Sequence, residues 1–562
     1  MQNWRVNLVF IFLILFAIAI ILKLVDLQIL NGGFYRAQAL GQQKHLTQIE
    51  PKRGEFFFNK GDRDLAINKS IFSVYISPEE IFKKEETCQI LSEIFELDKE
   101  LLLSKIQGNK AWELVKRKIN DEELSKFGKT KLEGVYLIKE SERYYPQENL
   151  ASHIVGFLGG ENRGQYGLED YYDEILKGEE GIEQIEKGAR GNLALFDSKI
   201  IKPLEFGTDL ILTIDYNIQF MAESILKEAL EVNKAENGEI IVINPYDGEI
   251  LAMAILPNFN PNKYFEEKNL EIFQNSSIQK LFEPGSIFKP FTVVAALNEG
   301  KITPQTSFED KGFVKIGPET IKNYNERVWG ERTMTEVLER SINTGAVFVQ
   351  SLLEPKVFWD YFEKFGFTKI TGIDLEGEVS SKNLTLKNGR EINYATASFG
   401  QGVELTSIQL VRGFCAIANG GKLIKPHLVK EQKKGEIITK INPEVSENSI
   451  ISLKTNDDLI TMLVNVVEQG TGKAAKIPGY YIAGKTGTAQ IPYTNLGIEK
   501  AGYSEKTIQS FIGFAPAFSP KFLIFVKLFN PQTREAAISS APVFQKLAKY
   551  IIDYYQIPPD YE

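Results

Sequence analysis

Cysteine and histidine are both scarce in this chain of 562 residues, which has two cysteines and three histidines. Two thiols cannot form a four-thiolate zinc site, no cysteine or histidine pair has zinc-finger spacing, and no HExxH motif occurs. A disulfide-stabilised scaffold is excluded for the same reason. The scarcity of histidine also leaves little room for a Ser-His-Asp or Cys-His enzyme. These residues are Cys88, Cys415, His45, His153 and His427.

An excess of positive charge is also lacking, because 65 lysines and arginines face 74 aspartates and glutamates, for a net charge of −9. A nucleic-acid-binding protein typically carries a basic surface, so no nucleic-acid partner is expected. Hydrophobic residues make up 43% of the chain and charged residues 25%, which is typical of globular proteins. The length exceeds that of a single compact domain and predicts two or three folded units.

Only one long apolar segment occurs, at the N-terminus. Residues Leu8 to Leu22 form 15 consecutive apolar positions, and a bilayer-spanning length is reached if Lys23 extends its amine to the interface. A cleaved signal peptide and a buried core helix are the alternatives, but no small-x-small cleavage site follows the run. We therefore predict an uncleaved membrane anchor within residues 1–30, whose orientation the local charges do not decide.

Composition changes near Gly207 and divides the rest of the chain. Residues 31–205 alternate between strand-like, helix-like and glycine-rich stretches, as in Ile71–Ser77 and Glu85–Ile106. After Gly207, strand-like segments are separated by helical ones, and a hairpin is predicted around Pro245–Gly248. The whole predicts an α+β fold with a mostly antiparallel sheet and helices between its strands.

Three S-x-x-K tetrads occur, and their context separates them. Ser224 lies in the middle of a predicted helix, and Ser277 lies in a polar stretch. Ser286 follows Pro-Gly and precedes an apolar segment, which predicts a helix N-terminus with free backbone N–H groups. Lys289 lies on the same helix face, within reach of Ser286. A lysine acts as a base only if burial or a second cation lowers its pKa, and a plain helix cap with a solvated lysine is the alternative.

A second cation is available in Gly484-Lys485-Thr486-Gly487-Thr488. With Gly479 it also completes a literal phosphate-loop pattern, but bulky strand-like residues fill the intervening positions and no helix is predicted to follow. As a strand, the segment offers the charge of Lys485, the hydroxyls of Thr486 and Thr488, and space for a substrate backbone at Gly487.

The third element is Ser341-Ile342-Asn343. Thr333 and Glu336 fit a capping box, so a helix through Arg340 is predicted to end near Ser341. From that position Ser341 could relay a proton and Asn343 could hold a substrate amide.

In this order the three elements resemble the S-x-x-K, S-x-N and K-T-G motifs of penicillin-binding proteins of class B. The resemblance extends over nearly the whole chain after residue 50. It departs from the family at Phe58-Asn59-Lys60-Gly61, where Asp-Arg-Asn-Gly is usual, at Ile287 and at Ser276. The other matching segments are 207–219, 244–253, 257–262, 399–402, 470–471 and 510–516 in the second half, and 143–146, 151–153, 156–157 and 167–169 in the first, where His153 is expected to be structural.

The resemblance implies an N-terminal transmembrane helix (1–30), an elongated mixed α/β pedestal of dimerisation type (31–205) and a penicillin-binding transpeptidase domain (206–562). It implies a D,D-transpeptidase that cross-links peptidoglycan stem peptides outside the cytoplasmic membrane and is acylated by β-lactams. Ser286 would be the nucleophile, Lys289 the base, Ser341 the proton relay, Asn343 the donor-amide ligand and Lys485 the second cation. Thr486, Gly487 and Thr488 would bind the donor, and the backbone N–H groups of Ser286 and Thr488 would form the oxyanion hole.

The resemblance implies neither a metal nor an organic cofactor. Because no polymerase domain is evident, it implies as partner a polytopic membrane glycosyltransferase of the shape, elongation, division and sporulation family. Asn343 favours a septal role, and a side-wall role is the alternative. A β-lactamase or carboxypeptidase, and a catalytically silent scaffold or penicillin sensor, are rivals from other functional classes.

Overall fold

The computed structural model describes residues 3–25, 44–49, 51–160, 162–187 and 193–562. Two compact units are distinguished by their internal contacts. The smaller comprises residues 1–54 and 177–207, and the larger comprises residues 55–176 and 208–562. Residues 26–43, which include the end of the predicted membrane anchor, lie outside the described residues.

The smaller unit contains a helix, Asn3–Val25, and one three-stranded antiparallel sheet. Within the described ranges, no helix combines the length and the hydropathy that crossing a bilayer requires. The strands of the sheet are, in spatial order, Lys44–Ile49, Gly181–Lys187 and Leu193–Lys202.

A seven-stranded sheet forms part of the larger unit. Its longest strand confirms the extended segment predicted at residues 71–77. The helix predicted over 85–106 is in fact two helices, because Glu96 adopts a left-handed conformation and the Asp98 carboxylate accepts a hydrogen bond from the Leu101 N–H, which starts a new helix. The strands are Phe56–Phe57, Asp64–Ile76, Glu113–Lys116, Val135–Tyr144, Asp209–Leu212, Val429–Lys434 and Ile437–Lys440, and the helices beside them are Lys84–Phe95, Lys99–Ile106 and Asp121–Phe127.

The glycine-rich segment after residue 150 folds into short elements held by buried polar contacts. Glu169 is fully buried and pairs with Arg143 at 2.6 Å. His153 Nε2 donates to the Ile272 carbonyl at 2.8 Å, and burial lowers the pKa of His153 to about 4, which fits the structural role expected of it. The elements are Ser152–Val155, Phe157–Leu158, Gly164–Gln165, Gly167–Tyr171 and Asp173–Leu176.

The predicted antiparallel sheet is present and has five strands in the order β2-β1-β5-β4-β3. The hairpin at Pro245–Gly248 joins β1 and β2 as expected, closed by a hydrogen bond from the Asn244 N–H to the Glu249 carbonyl at 2.9 Å. Of the strand-like residues 480–483, only Ala483 belongs to a strand, and it begins β3. The strands are β1 (Asn237–Ile243), β2 (Ile250–Leu256), β3 (Ala483–Pro492), β4 (Tyr503–Ala515) and β5 (Phe522–Phe529).

Helices cover both faces of this sheet because side chains alternate along its strands. Ile240 and Val242 pack into one core with α1 and α6, and Ile241 and Ile243 pack into the other core. The Asp215 carboxylate caps the helix Tyr216–Asn233 by accepting from the N–H groups of Asn217 and Ile218. The six helices used below are α1 (Tyr216–Asn233), α2 (Lys289–Asn298), α3 (Met334–Glu339), α4 (Asn343–Ser351), α5 (Leu453–Glu468) and α6 (Ala536–Tyr555).

Shorter helices and strands complete the larger unit. The segment 58–61, which departs from the family pattern, contacts the start of α1. The Asn59 amide donates to the Asp215 carboxylate at 3.3 Å, so this loop is tied to the start of α1. The remaining helices and strands are Pro261–Glu266, Leu270–Phe273, Ser276–Gln279, Ser307–Asp310, Phe313–Ile316, Glu319–Lys322, Tyr324–Glu326, Gly330–Thr333, Pro355–Lys364, Leu384–Lys387, Glu391–Ala397, Ser407–Ala418, Lys473–Ala475 and Tyr493–Leu496.

Candidate active site

Ser286 lies in a single 3-10 turn, Gly285–Phe288, that runs directly into α2. The helix N-terminus predicted from the sequence is therefore present, and Pro290 occupies its first turn without loss of a hydrogen bond. Gly285 has φ +60° and donates its N–H to the Gly400 carbonyl at 3.0 Å. A Cβ at Gly400 would lie 2.2 Å from the Gly285 carbonyl oxygen, so only glycine permits this close approach.

Lys289 is completely buried, and its amine contacts the Ser341-Ile342-Asn343 segment. It donates hydrogen bonds to the Ser341 carbonyl, to Ser341 Oγ at 3.2 Å and to Asn343 Oδ1 at 2.8 Å. In the described part of the chain, no hydrogen bond joins Lys289 Nζ to Ser286 Oγ. The structure thus places the Ser341 hydroxyl, and not the Ser286 hydroxyl, in contact with this amine.

Ser341 connects α3 to α4, and it is held in an unusual backbone conformation. The capping box predicted at Thr333 and Glu336 is present, and α3 ends at Glu339. Ser341 itself has φ +59°, a left-handed value that costs a non-glycine residue free energy. Lys485 Nζ donates to Ser341 Oγ at 2.9 Å, so two lysine amines contact one hydroxyl oxygen.

Burial changes the ionisation of both amines. Burial and then the nearby Lys485 charge hold the pKa of Lys289 well below its usual value. Burial lowers the pKa of Lys485 to about 7. Both pKa values are lowered, which favours neutral amines. Protonation of both amines at once is the least favourable state, because like charges this close repel. A neutral lysine can act as a general base, which an ordinary solvated lysine cannot do near neutral pH.

Strand β3 contains the segment Lys485-Thr486-Gly487-Thr488, as predicted. The hydroxyls of its two threonines each contact a neighbouring group. Thr486 Oγ1 is 2.8 Å from Thr471 Oγ1, and Thr488 Oγ1 accepts from the Ala536 N–H at 3.3 Å. Thr471 was matched to the family pattern from the sequence, but its contact with Thr486 was not foreseen.

Gly487 is tightly surrounded by protein. A Cβ at this position would lie 2.6 Å from Ser510 Oγ and 2.7 Å from Ile287 Cγ1. Ile287 is one of the departures from the family pattern, so this departure lies where β3 contacts the turn that carries Ser286.

Gly487→Ala is expected to destabilise the protein by about 1–3 kcal/mol and to slow acylation, because the added methyl group forces β3 away from the Ser286 turn. Gly160→Ala is the matched control, since a Cβ there meets no atom within 4 Å. Chemical unfolding and the rate of penicillin acylation measure the two effects. Equal behaviour of the two variants would contradict the tight packing.

Glu283 is a buried acidic residue beside the site that sequence reasoning missed. Its carboxylate accepts from the Gly402 N–H at 3.1 Å and from the Tyr503 hydroxyl at 3.0 Å. Burial raises its pKa to about 7. The only signal in the sequence is its place immediately before Pro284-Gly285, and nothing local predicts that it is buried.

The stability of the protein is expected to fall between pH 5 and pH 8 in part because of Glu283. Folding raises the pKa of this carboxyl, so its contribution to stability is complete below the unfolded pKa of about 4.5. That contribution, on the order of 3 kcal/mol, is lost as the pH rises through the folded pKa of about 7. Glu283→Gln should therefore reduce the loss of unfolding free energy over this range. Glu336→Gln is the contrasting control, because the pKa of Glu336 is lowered and its contribution is lost on the acid side. An unchanged pH slope in Glu283→Gln would contradict the assignment.

A cavity of about 620 Å³ lies beside α4, and none of the eight predicted site residues lines it. Its walls are about equally polar and apolar, with Phe308, Phe348, Lys311 and Glu391 among them. The predicted site residues instead lie where α2, β3 and the start of α4 meet. The cavity is therefore not the candidate active site.

Comparison with known proteins gives matches over nearly the whole chain. The model of the penicillin binding protein transpeptidase domain matches residues 238–549, and that of the penicillin-binding protein dimerisation domain matches residues 48–212. Stage V sporulation protein D of Bacillus subtilis is 32% identical over 94% of this chain and 83% of its own length. Peptidoglycan D,D-transpeptidase FtsI of Buchnera aphidicola is 31% identical over 99% of this chain and 96% of its own.

Solved structures agree in fold. Penicillin binding protein 3 from Mycobacterium tuberculosis, in complex with aztreonam, superimposes with a TM-score of 0.71 at 24% identity, covering 91% of this chain and 98% of that one. Penicillin Binding Protein 2X from Streptococcus thermophilus gives a TM-score of 0.74 at 23% identity, covering 90% and 80%. Because the transpeptidase model alone matches more than half of the chain, with the dimerisation model before it, this chain belongs to the penicillin-binding protein transpeptidase family.

Proposed function

We propose that this chain is a peptidoglycan D,D-transpeptidase that joins stem peptides through an acyl-enzyme on Ser286. The observation that carries the proposal is the pair of buried lysine amines on one hydroxyl oxygen, Ser341 Oγ, beside the helix N-terminus that holds Ser286. A structural lysine would normally pair with a carboxylate or reach solvent. Here the amines contact hydroxyl, amide and carbonyl oxygens, an arrangement suited to proton transfer.

In the first step, neutral Lys289 takes the proton of Ser286 as Ser286 Oγ attacks the penultimate D-Ala carbonyl. The Oγ–C bond forms, and the amide C–N bond to the terminal D-Ala breaks. The leaving amine needs a proton, and Lys289 returns it through the Ser341 hydroxyl, which Lys289 and Lys485 both contact. General acid–base catalysis of this kind contributes typically about 10²- to 10⁴-fold.

The negative charge that develops on the carbonyl oxygen would be bound by the backbone N–H groups of Ser286 and Thr488. Each such donor is worth roughly 10²- to 10³-fold in rate. The donor carboxylate would bind protonated Lys485 with the hydroxyls of Thr486 and Thr488, and Asn343 would orient the donor amide. Gly487 would support donor binding by letting β3 lie close to the turn that carries Ser286.

In the second step, the amine of a neighbouring stem peptide attacks the acyl ester, and the proton it loses passes back to Ser286 Oγ. A β-lactam enters the same first step, because its strained ring amide takes the place of the donor amide. Its acyl fragment stays attached to the serine if water and acceptor amines do not reach the ester. A septal role, which Asn343 favours, and a side-wall role use the same chemistry.

The test is a time course with fluorescent penicillin on the purified chain, followed by intact and peptide mass spectrometry. A stable adduct on the peptide that contains Ser286 is the expected result. An adduct that forms and then decays quickly would favour a hydrolase, and no adduct on folded protein would favour a silent scaffold. Addition of a stem-peptide donor and an acceptor amine should give the cross-linked product in preference to hydrolysed donor.

We further propose that residues 1–30 anchor the protein to the cytoplasmic membrane with the catalytic domain outside the cytoplasm. The support is the unbroken apolar run from Leu8 to Leu22 and the exposure of its side chains from Ile11 to Ile18. Deletion of residues 1–30 should release the protein from the membrane fraction. Retention of the truncated protein in washed membranes would contradict the anchor.

Two more parts of the proposal concern organisation. The division into a pedestal at 31–205 and a transpeptidase domain at 206–562 follows from the change in composition near Gly207. A polytopic glycosyltransferase is the proposed membrane partner, since the chain offers no polymerase motif of its own. Purification of the tagged, anchored protein in detergent should recover such a polymerase, and its repeated absence would count against the partner.

A further inference from the structure

Asp310 is a buried carboxylate that forms no ion pair within the described residues. It is 1% exposed and ends the strand Ser307–Asp310. The lysines nearest to it in sequence pair with other residues, Lys311 with Glu309 and Lys322 with Glu326. A buried carboxylate without a cation is stable only if neutral donors satisfy its oxygens.

Those donors come from four residues that lie apart in sequence. Asp310 accepts from the Gly312 N–H at 2.9 Å, from the Trp329 N–H at 2.8 Å and from the Thr344 hydroxyl at 2.6 Å. The Asn323 amide also donates to both carboxylate oxygens, at 3.0 and 2.9 Å. The Asp310 side chain thus links both ends of the segment 310–330 to the first turn of α4.

Asn323 extends this network to the candidate active site. Its Oδ1 accepts from the Thr344 N–H at 3.1 Å, and the preceding carbonyl, that of Lys322, accepts from Asn343 Nδ2 at 3.1 Å. With its Nδ2 engaged there, Asn343 presents its Oδ1 to Lys289 Nζ at 2.8 Å. The reversed amide would set Asn343 Oδ1 against the Lys322 carbonyl oxygen, and neither oxygen can donate, so the Lys322 carbonyl selects the orientation.

We propose that Asp310 is a positioning residue of the acyl-transfer site. Through Asn323 and Thr344 it fixes the Lys322 carbonyl and the start of α4, and so holds the Asn343 amide oxygen toward Lys289. The inference rests on the proposed function, because the arrangement matters only if Asn343 and Lys289 take part in acylation. Asp310 touches neither the substrate nor the reacting atoms.

The test compares Asp310→Asn with Asp374→Asn. Asp374 is a matched control, since it is also buried and accepts from neutral donors, namely the N–H groups of Leu428 and Val429 and the Tyr172 hydroxyl. Asp310→Asn should lower the rate of Ser286 acylation at saturating fluorescent penicillin by roughly 10- to 100-fold. The final fraction of labelled protein should stay at the wild-type level. In Asp374→Asn the rate should stay within about 2-fold of wild type.

A conservative substitution separates positioning from general stability. Thr344→Ser keeps the hydroxyl that donates to Asp310, whereas Thr344→Val removes it. The rate in Thr344→Ser should stay within about 3-fold of wild type. Should Asp310→Asn fail to fold, Thr344→Val removes one donor to Asp310 and should slow acylation about 3- to 10-fold at full labelling.

Three results would overturn the inference: a wild-type rate in Asp310→Asn, equal slowing in Asp374→Asn, or equal rates in Thr344→Ser and Thr344→Val. A crystal structure of Asp310→Asn gives a readout that needs no activity, because the 2.8 Å contact between Asn343 and Lys289 should be lost. A contact that persists unchanged would also overturn it. Failure of the proposed function looks different, since the wild-type adduct would then be missing from Ser286.

Discussion

Ser286→Ala is expected to abolish covalent labelling by penicillin, with a fall of at least about 10⁴-fold in acylation rate. The substitution removes the attacking oxygen and little else. Ser286 is only partly buried, and within the described residues its hydroxyl makes no hydrogen bond. The thermal midpoint should therefore stay close to that of the wild type, so loss of labelling cannot be attributed to loss of fold.

Ser224→Ala is the control for this experiment. Ser224 and Lys227 repeat the S-x-x-K letters, but Ser224 lies exposed within α1 and has neither a helix N-terminus nor a second buried amine beside it. Labelling at the wild-type rate is expected there. Retained labelling in Ser286→Ala, with the adduct on another serine, would refute the nucleophile assignment. Intact mass and peptide mapping distinguish these outcomes.

The convergence of the three motifs could be predicted because each carries a local signal. Proline and glycine before Ser286 indicate a helix start, and the capping box at Thr333 indicates a helix that ends before Ser341. Lys485 lies in a segment with the alternation and bulk of a strand. Family resemblance then supplies the order in which these elements meet. Residues almost 200 apart in sequence, Ser286 and Lys485, could thereby be assigned to one site.

The contacts made by the site residues could not be predicted in the same way. Spacing i to i+3 predicts that Lys289 reaches Ser286, but burial directs its amine to Ser341 and Asn343. The tertiary packing around a long side chain determines which hydrogen-bond acceptor its amine contacts. Local sequence periodicity does not predict that packing. Glu283 and Asp310 were missed for a related reason. Each is a single acidic residue in an irregular segment, where exposure is the ordinary expectation.

The break between the two helices in residues 84–106 is different, because the sequence did contain its signal. Asp98 is a good helix N-cap, and its carboxylate accepts from the Leu101 N–H at 2.8 Å. Apolar spacing alone continues through this point, so the periodicity outweighed the cap in the prediction. Local capping chemistry therefore carries more weight than periodicity where the two disagree over one turn.

Replacing each lysine of the site by arginine is expected to give opposite results. Acylation requires a neutral Lys289 and a protonated Lys485. The rate should rise with pH as Lys289 loses its proton, and fall again as Lys485, whose pKa burial lowers to about 7, loses its own. Arginine remains protonated in proteins. Lys485→Arg should therefore keep the cation and move the descending limb upward by more than one pH unit.

Lys289→Arg instead supplies a group that cannot accept the proton of Ser286, so the rate should fall by about 10²- to 10⁴-fold at every pH. The measurement is the second-order acylation rate constant between pH 5 and pH 10, with the fraction of folded protein checked at each point. The two limbs belong to a coupled pair of amines, so each is assigned by the variant that moves it and not by its midpoint alone. A descending limb that stays near pH 7 in Lys485→Arg, or a Lys289→Arg variant that acylates like the wild type, would contradict the assigned roles. The same substitution at the two positions thus distinguishes Lys289, the base, from Lys485, the cation that binds the donor.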